Sequence, residues 1–359
     1  MRAIVPQPSG VSSPADVSRS VIGWDVGGAH LKAARVELGR TIDVLQLPSP
    51  LWMNLDSLTA GLRDAMTRLA PASVHVATMT GELADVFADR AEGVARLSEI
   101  LAREVPGPLH LYAGRAGWVA PSAAAEHVAD IASANWHASA TLAASRVPDA
   151  VFVDMGSTTT DIIPVCGGAV AAVGYTDAER LACGELVYTG LTRSFVMSLA
   201  AGAPVAGRWT PLACEHFATS ADVYRVLNRL PDDADQMPTA DSREKTVAAS
   251  RARLARMVGR DAAELDEGAW DALARWFAEM QLRRIEDAAR LVLSRTRLPG
   301  AAPVIAAGIG QAVIVRLAAR LERPVTLFAD LIDPGSSKWV GHCAPAVAVA
   351  VLAQDGGLA

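Results

Sequence analysis

The sequence predicts an α/β fold in which two related halves face each other across a cleft, with a helical insertion in the second half. Three observations predict it. The chain has 359 residues, longer than one buried core usually extends, so two domains are expected. A strand–glycine turn–strand unit occurs twice, at Trp24-Asp25-Val26-Gly27-Gly28 and at Val153-Asp154-Met155-Gly156-Ser157. A third glycine turn, Ala306-Ala307-Gly308-Ile309-Gly310, joins a short apolar strand to a helical stretch.

Residues 1–20 hold Pro6, Pro8, Pro14 and several serines without a continuous apolar run. They read as a disordered tail and not as a signal peptide. The first half, 21–147, opens with the apolar run Val21–Val26, the turn Gly27-Gly28, and two further meander strands at His30–Val36 and Thr41–Leu47. Leu55, Leu58, Leu62, Met66 and Leu69 recur at helical spacing behind an Asn54 cap. Val74–Thr78 and Leu109–Ala113 read as strands around a helix near Glu92–Glu104, and Ser133–Arg146 reads as another helix. The second half, 148–343, restarts with Val151–Met155, the turn Gly156–Thr160 and the strand Asp161–Val165, then a hairpin at Gly167-Gly168 into Ala169–Val173. An insertion at about 177–297 is expected to be helical, with Pro231–Asp241 as an exposed loop. Its helices are placed at Glu244–Gly259 and Glu267–Thr296, the second carrying a core stripe of Trp270, Leu273, Phe277 and Met280. Residues 344–359 form a final apolar helix expected to pack back between the halves.

Composition removes several function classes. Hydrophobic residues make up 51% and the formal charge is −6, which argues against a general nucleic-acid binder. Four separated cysteines, without a CxxC pair, suit reduced and mostly buried thiols in a cytoplasmic protein. Seven histidines show no HExxH spacing, so a zinc hydrolase has little support. The uncharged stretch Leu298–Val315 is long enough to suggest a membrane span, but its two prolines and three glycines read as strand–turn–helix. No membrane partner is expected.

The two repeated turns carry the chemistry. Glycines let backbone amides approach phosphate oxygens, and an aspartate at a strand end can hold Mg²⁺. Asp25 and Asp154 stand at those strand ends. Gly27 and Gly28 form the first turn, and Gly156, Ser157, Thr158 and Thr159 the second, which adds hydroxyls and ends at Asp161. Each alone is compatible with an ordinary hairpin; together they can grip one phosphate chain from both sides. Gly308 and Gly310 are a weaker third element, since glycine at such a junction is also a packing device. Only three of the 33 basic residues are lysines: Lys32, Lys245 and Lys338. Lys32 lies in the first turn unit, where a compact point charge can serve better than a guanidinium fork.

These turns, in this order, resemble the acetate and sugar kinase/Hsp70/actin superfamily, and the Asp154–Asp161 segment is most similar to its hydantoinase A/oxoprolinase branch. Gly23–Ala34, Met79–Leu83, Ser133–Trp136, Gly184–Gly190, Phe217–Tyr224 and Ser337–Gly341 together resemble a family of tetrahydromethanopterin-linked C1-transfer pathway proteins of methylotrophs, whose archaeal relatives are synthases of methanofuran biosynthesis. The resemblance implies two ribonuclease-H-like domains. It also implies an alkyl transfer in which the phenol of γ-glutamyltyramine displaces diphosphate from an aminomethylfuran-methyl diphosphate, with Mg²⁺ as cofactor. On that reading Asp25 and Asp154 hold the metal. Gly27, Gly28, Lys32, Gly156, Ser157, Thr158, Thr159, Gly308 and Gly310 bind phosphate, and Asp161 and Glu185 are candidate bases. Asn135, Glu185, Tyr188 and Thr189 meet the acceptor, although Asn135 also suits a helix cap and Glu185–Thr189 an amphipathic helix start. Partners are these small molecules alone, with a homodimer the one assembly admitted. The same turns would serve an ATP-dependent kinase, an oxoprolinase-like amide hydrolase or a nucleotide-binding regulator. An ATP user needs an adenosine slot beside Gly308 and Gly310, which Ile309 or Gln311 can close.

Overall fold

The computed structural model describes residues 20–231, 233–334 and 336–358. Apart from Ser20, the expected tail lies outside the described residues. Two sheets organise the chain. The first contains β1 (Ser20–Val26), β2 (His30–Glu37), β3 (Arg40–Pro48), β4 (Val74–Met79), β5 (Leu109–Tyr112) and β6 (Trp118–Val119), in the order β3-β2-β1-β4-β5-β6. The second contains β7 (Ala150–Met155), β8 (Thr160–Cys166), β9 (Ala169–Val170) and β10 (Leu186–Val187), joined later by β13 (Val304–Ala307) and β14 (Val325–Leu327). Its order is β10-β8-β7-β13-β14, with β9 on β8.

Both sheets follow one plan: an antiparallel hairpin whose first strand continues into parallel strands. The sequence echo is therefore a structural one. Asp25 pairs in register with Lys32, and Asp154 with Asp161. The turns close alike, by Gly27 N donating to His30 O at 3.0 Å and Gly156 N donating to Thr159 O at 2.9 Å.

Two helices lie between the sheets. Asn135–Arg146 follows the first half and packs on β7, β8 and β9, whereas Ala344–Asp355 follows the second and packs on β1, β2 and β4. Each half thus lends a helix to the other. One buried cluster joins Val21, Val76, Phe152, Ile305, Trp136 and Val349, so the halves share an apolar seam behind the cleft. Burying that seam is the dominant favourable term holding them together.

The region 177–297 differs from the expected helical insertion. It supplies edge strand β10 to the second sheet and a separate hairpin, β11 (Gly202–Val205) with β12 (Arg208–Pro211). Its long helix, Glu267–Ser294, buries Trp270, Leu273 and Phe277 as the periodicity requires, whereas Met280 is only half-buried and the neighbouring Gln281 is buried instead. The aspartate-rich loop is not free on the surface. Ala234 and Met237 are buried, Asp235 pairs with Arg225, and Asp241 with Arg253. The segment read as solvated because the arginine partners of Asp235 and Asp241 lie on other elements. The expected strand Ala169–Val173 ends at Val170. Of the cysteines, Cys343 alone is buried and Cys214 is exposed. Among the described residues no helix is long and apolar enough to cross a membrane.

Candidate active site

The two repeated turns line one cavity of about 500 Å³, large enough for a small-molecule ligand. Because Gly27 and Gly156 spend their own amides closing the turns, they shape the loops. The amides of Gly28, Ala29, Ser157 and Thr158 donate to no described acceptor. A Cβ on Gly28 would meet nothing within 4 Å, so open space lies over that backbone.

Lys32, from β2, reaches back to its register partner, with Nζ 3.3 Å from Asp25 Oδ2. Burial raises the Asp25 carboxyl, and Lys32 opposes that rise. Burial also works against the ammonium, but Asp25 and Asp154 outweigh it and hold Lys32 above its ordinary value. Asp154 is pushed up to about 7, chiefly by burial, with Asp161 and Asp25 adding repulsion and Lys32 relieving part of it. Asp25 Oδ1 is buried without a hydrogen-bond partner. The site thus holds a carboxylate oxygen and a near-neutral carboxyl that lack full compensation from the protein. Among the described residues no group of three or more His, Cys, Asp or Glu converges to hold a metal. Any cation here would take two carboxylates and complete its shell from water or ligand oxygens.

Asp161 lines the same cavity. Arg180 grips its Oδ1, and the Arg180 guanidinium lies 4.3 Å over the Trp136 ring. Asn135 also lines the cavity, its Oδ1 accepting from Trp136 N at 2.7 Å at the start of its helix. Tyr188 faces the cavity and is 57% exposed.

Four expected site residues do not reach the cavity. Glu185 is fully buried behind β8. It accepts from Val173 N at 2.9 Å and Gly174 N at 3.0 Å and pairs with Arg295 at 2.6 Å. Its charge is spent on folding the insertion, so it is neither base nor acceptor contact. Thr189 is buried, sharing a hydrogen bond with Ser194 and accepting from Gln281 Nε2. Gly308 and Gly310 are packing glycines. A Cβ on Gly308 would lie 2.3 Å from Asp154 Oδ1, and one on Gly310 2.4 Å from Met155 Sδ. They let the third turn close on β7, and only Ile309 between them lines the cavity. Lys245 pairs with Asp235 and Lys338 is exposed, and neither lines the cavity; of the three lysines, Lys32 alone does.

Among the cavity residues that sequence reasoning missed are His30, Trp52, Arg180, Arg193 and His342. His30 stood inside the quoted first turn and could have been read there. Its Nε2 is buried and unpartnered, and burial, with Lys32 and Arg193 nearby, pushes its pKa down to about 3. Arg193 is one of thirty arginines and sits in no motif.

Known proteins agree with this architecture. The hydantoinase/oxoprolinase family model matches residues 73–355. The (4-{4-[2-(γ-L-glutamylamino)ethyl]phenoxymethyl}furan-2-yl)methanamine synthase of Methanocaldococcus jannaschii is 31% identical over 242 residues, covering 67% of this chain and 72% of that one. The protein of the same name from Methanococcus vannielii is 34% identical over 111 residues, 31% of this chain and 50% of that one. Nucleotide-free acetone carboxylase shares the fold, with a TM-score of 0.57 at 11% identity over 92% of this chain and 70% of that one. With its doubled α/β halves, paired glycine turns and this span of matching sequence, the chain belongs to the hydantoinase/oxoprolinase family.

Proposed function

We propose that the protein is a transferase of methanofuran-type cofactor biosynthesis, joining an aminomethylfuran-methyl diphosphate to the phenol oxygen of γ-glutamyltyramine and releasing diphosphate. The observation that carries this reading is the convergence of two like turns, with Lys32, Asp25 and Asp154, on one cavity, in a chain 31% identical to a relative named as such a synthase.

In the proposed reaction the phenol oxygen attacks the methylene carbon attached to the furan. A C–O bond forms to that carbon, the C–O bond to diphosphate breaks, and the bonding pair leaves with the diphosphate. The free amides of Gly28, Ala29, Ser157 and Thr158 and the Lys32 ammonium bind the phosphate oxygens and stabilise the charge that gathers there. The phenol proton passes to Asp161. Arg180 orients this carboxylate through Oδ1, and burial raises its proton affinity, which suits a base acting on a phenol. Tyr188 and Ile309 flank the cavity and restrict water, favouring ether formation over hydrolysis.

The donor set fits a hard divalent cation: an unpartnered Asp25 oxygen and the Asp154 carboxyl beside a phosphate-binding turn. Asp25 and Asp154 would hold Mg²⁺, which when bound neutralises charge on the departing diphosphate. Ile309 fills space beside the third turn, and the Gln311 amide lies where a Cβ on Gly341 would be only 2.7 Å away; both support a ligand without an adenosine moiety.

The test is to incubate the protein with Mg²⁺, γ-glutamyltyramine and the furan diphosphate in the absence of ATP. Ether and diphosphate, measured by mass spectrometry, should appear together and should stop in excess EDTA. Product that needs ATP, or ADP accumulating in step with it, would overturn the reading.

A further inference from the structure

Arg193 follows β10 in a loop folded onto the second turn. Its own N–H donates to Ser157 O at 2.9 Å, and its Nη1 donates to Thr158 Oγ1 at 3.3 Å. Its guanidinium lies 4.5 Å from the centre of the Trp52 ring. Trp52 comes from the other half, in a loop tied to the first turn by Leu51 N donating to Gly28 O at 3.0 Å and Ser49 N donating to Ala29 O at 2.9 Å. The Trp52–Arg193 contact therefore spans the cavity from one turn to the other.

Arg193 differs from Arg180, the other arginine lining the cavity, which pairs with Asp161 and lies 3.8 Å from Asp177. No described carboxylate lies within ion-pair distance of Arg193. Burial weakens its hold on its proton, so the protein keeps a half-buried cation met only by a hydroxyl and an aromatic face. That arrangement is costly without an anion. A guanidinium fork matches two oxygens of one phosphate, and the neighbouring hydroxyls of Ser157 and Thr158 suit the same ligand.

We propose that Arg193 is an anion-binding residue, held ready by Trp52, which leaves the indole to clamp the terminal phosphate of a bound diphosphate. The proposal deepens the reading above and rests on it for the identity of the diphosphate. When the ligand enters, Arg193 exchanges an aromatic contact for a charge-assisted bidentate pair. Trp52, 38% exposed, is freed to cover the mouth of the cavity.

The test uses the full chain and inorganic diphosphate with Mg²⁺, followed by calorimetry and tryptophan fluorescence. Arg193→Ala should weaken diphosphate binding about tenfold or more, and Arg193→Lys should recover part of the loss. The wild type should show a fluorescence change on binding that Trp52→Phe lacks. Should Arg193→Ala fail to fold, Arg193→Gln removes the charge while keeping a donor for Thr158. Wild-type diphosphate affinity in the neutral variant overturns the proposal, as does the same fluorescence change in Trp52→Phe. Failure of the wider reading looks different. Loss of diphosphate binding in Arg193→Ala, with no ether made by the wild type, sinks the alkyl transfer and leaves the clamp standing. Ether synthesis by Arg193→Ala at wild-type kcat and KM does the reverse.

Discussion

Lys32 and Asp161 occupy the same place in the two halves, each the register partner of the aspartate at the penultimate position of the preceding strand. One hairpin thus carries an opposite-charge pair, Asp25–Lys32, and the other a like-charge pair, Asp154–Asp161. The asymmetry organises the cavity. Lys32 serves both Asp25 and Asp154, while Asp161 must turn to Arg180 for its counter-charge.

Lys32→Arg should therefore fail despite keeping the charge. The ammonium is largely enclosed and bonded to Asp25 at 3.3 Å, and a planar guanidinium is wider and points its donors in fixed directions. We expect diphosphate affinity and turnover to fall about tenfold or more with little change in melting temperature. Wild-type kinetics would mean that a general positive charge is all the first turn requires.

The raised Asp154 pKa gives a stability signature in metal-free protein. Its folded value of about 7 lies above the ordinary 3.8. The protonated form is thus favoured by folding, and its contribution is fully present below pH 3.8. It is lost as pH rises through about 7, because the buried carboxylate must then ionise. Asp154→Asn cannot ionise and should escape that loss. The melting temperature of the wild type should fall relative to the variant by several degrees between pH 4 and pH 8, and added Mg²⁺ should narrow the gap at pH 8. Parallel curves for the two proteins would show that Asp154 is not under strain.

Much of this site was legible in the sequence because it is local. A strand end, a glycine turn and the following strand lie within eight residues, so Asp25 to Lys32 and Asp154 to Asp161 could be read as units, and the repeat implied two sheets. What could not be read depends on distant partners. Glu185 looked available because Arg295, which neutralises it, lies 110 residues away. Gly308 and Gly310 looked like a ligand turn because their contact, Met155, belongs to another strand. Arg193 and Trp52 carry no motif and meet only when the halves close. The region 177–297 hid its short strands because a two-residue edge such as β10 leaves no periodicity to detect.

Glu185 offers a direct check on its reassignment. Removing it leaves the Val173 and Gly174 amides without their acceptor and takes one partner from Arg295, which still donates to Cys183 O; each buried group left unsatisfied costs about 1–3 kcal/mol. Glu185→Ala should lower the denaturant midpoint sharply, while the folded fraction keeps the wild-type KM. A catalytic base would give the opposite pattern in Glu185→Gln, with normal stability and a collapsed kcat.

A pair of glycine substitutions separates the two jobs that glycine performs around the cavity. Gly308 has φ of +80°, and a Cβ there would lie 2.3 Å from both Asp154 Oδ1 and Met155 O. Gly308→Ala therefore meets a left-handed backbone and a steric clash together, and we expect about 2–4 kcal/mol of destabilisation. Gly28 lies outside the left-handed region, and its added methyl would touch nothing in the protein. Gly28→Ala should then melt within a degree or two of the wild type. If the first turn holds a phosphate close to its backbone, that methyl occupies the ligand's place, and inorganic diphosphate should bind about tenfold or more weakly. The discriminating measurement is the pair of melting curves with and without diphosphate. Stability should be lost in Gly308→Ala, and the ligand-induced rise in melting temperature should be lost in Gly28→Ala. A full ligand-induced rise in Gly28→Ala would show that no anion approaches this turn, and the second turn with Arg193 would be left to bind it alone.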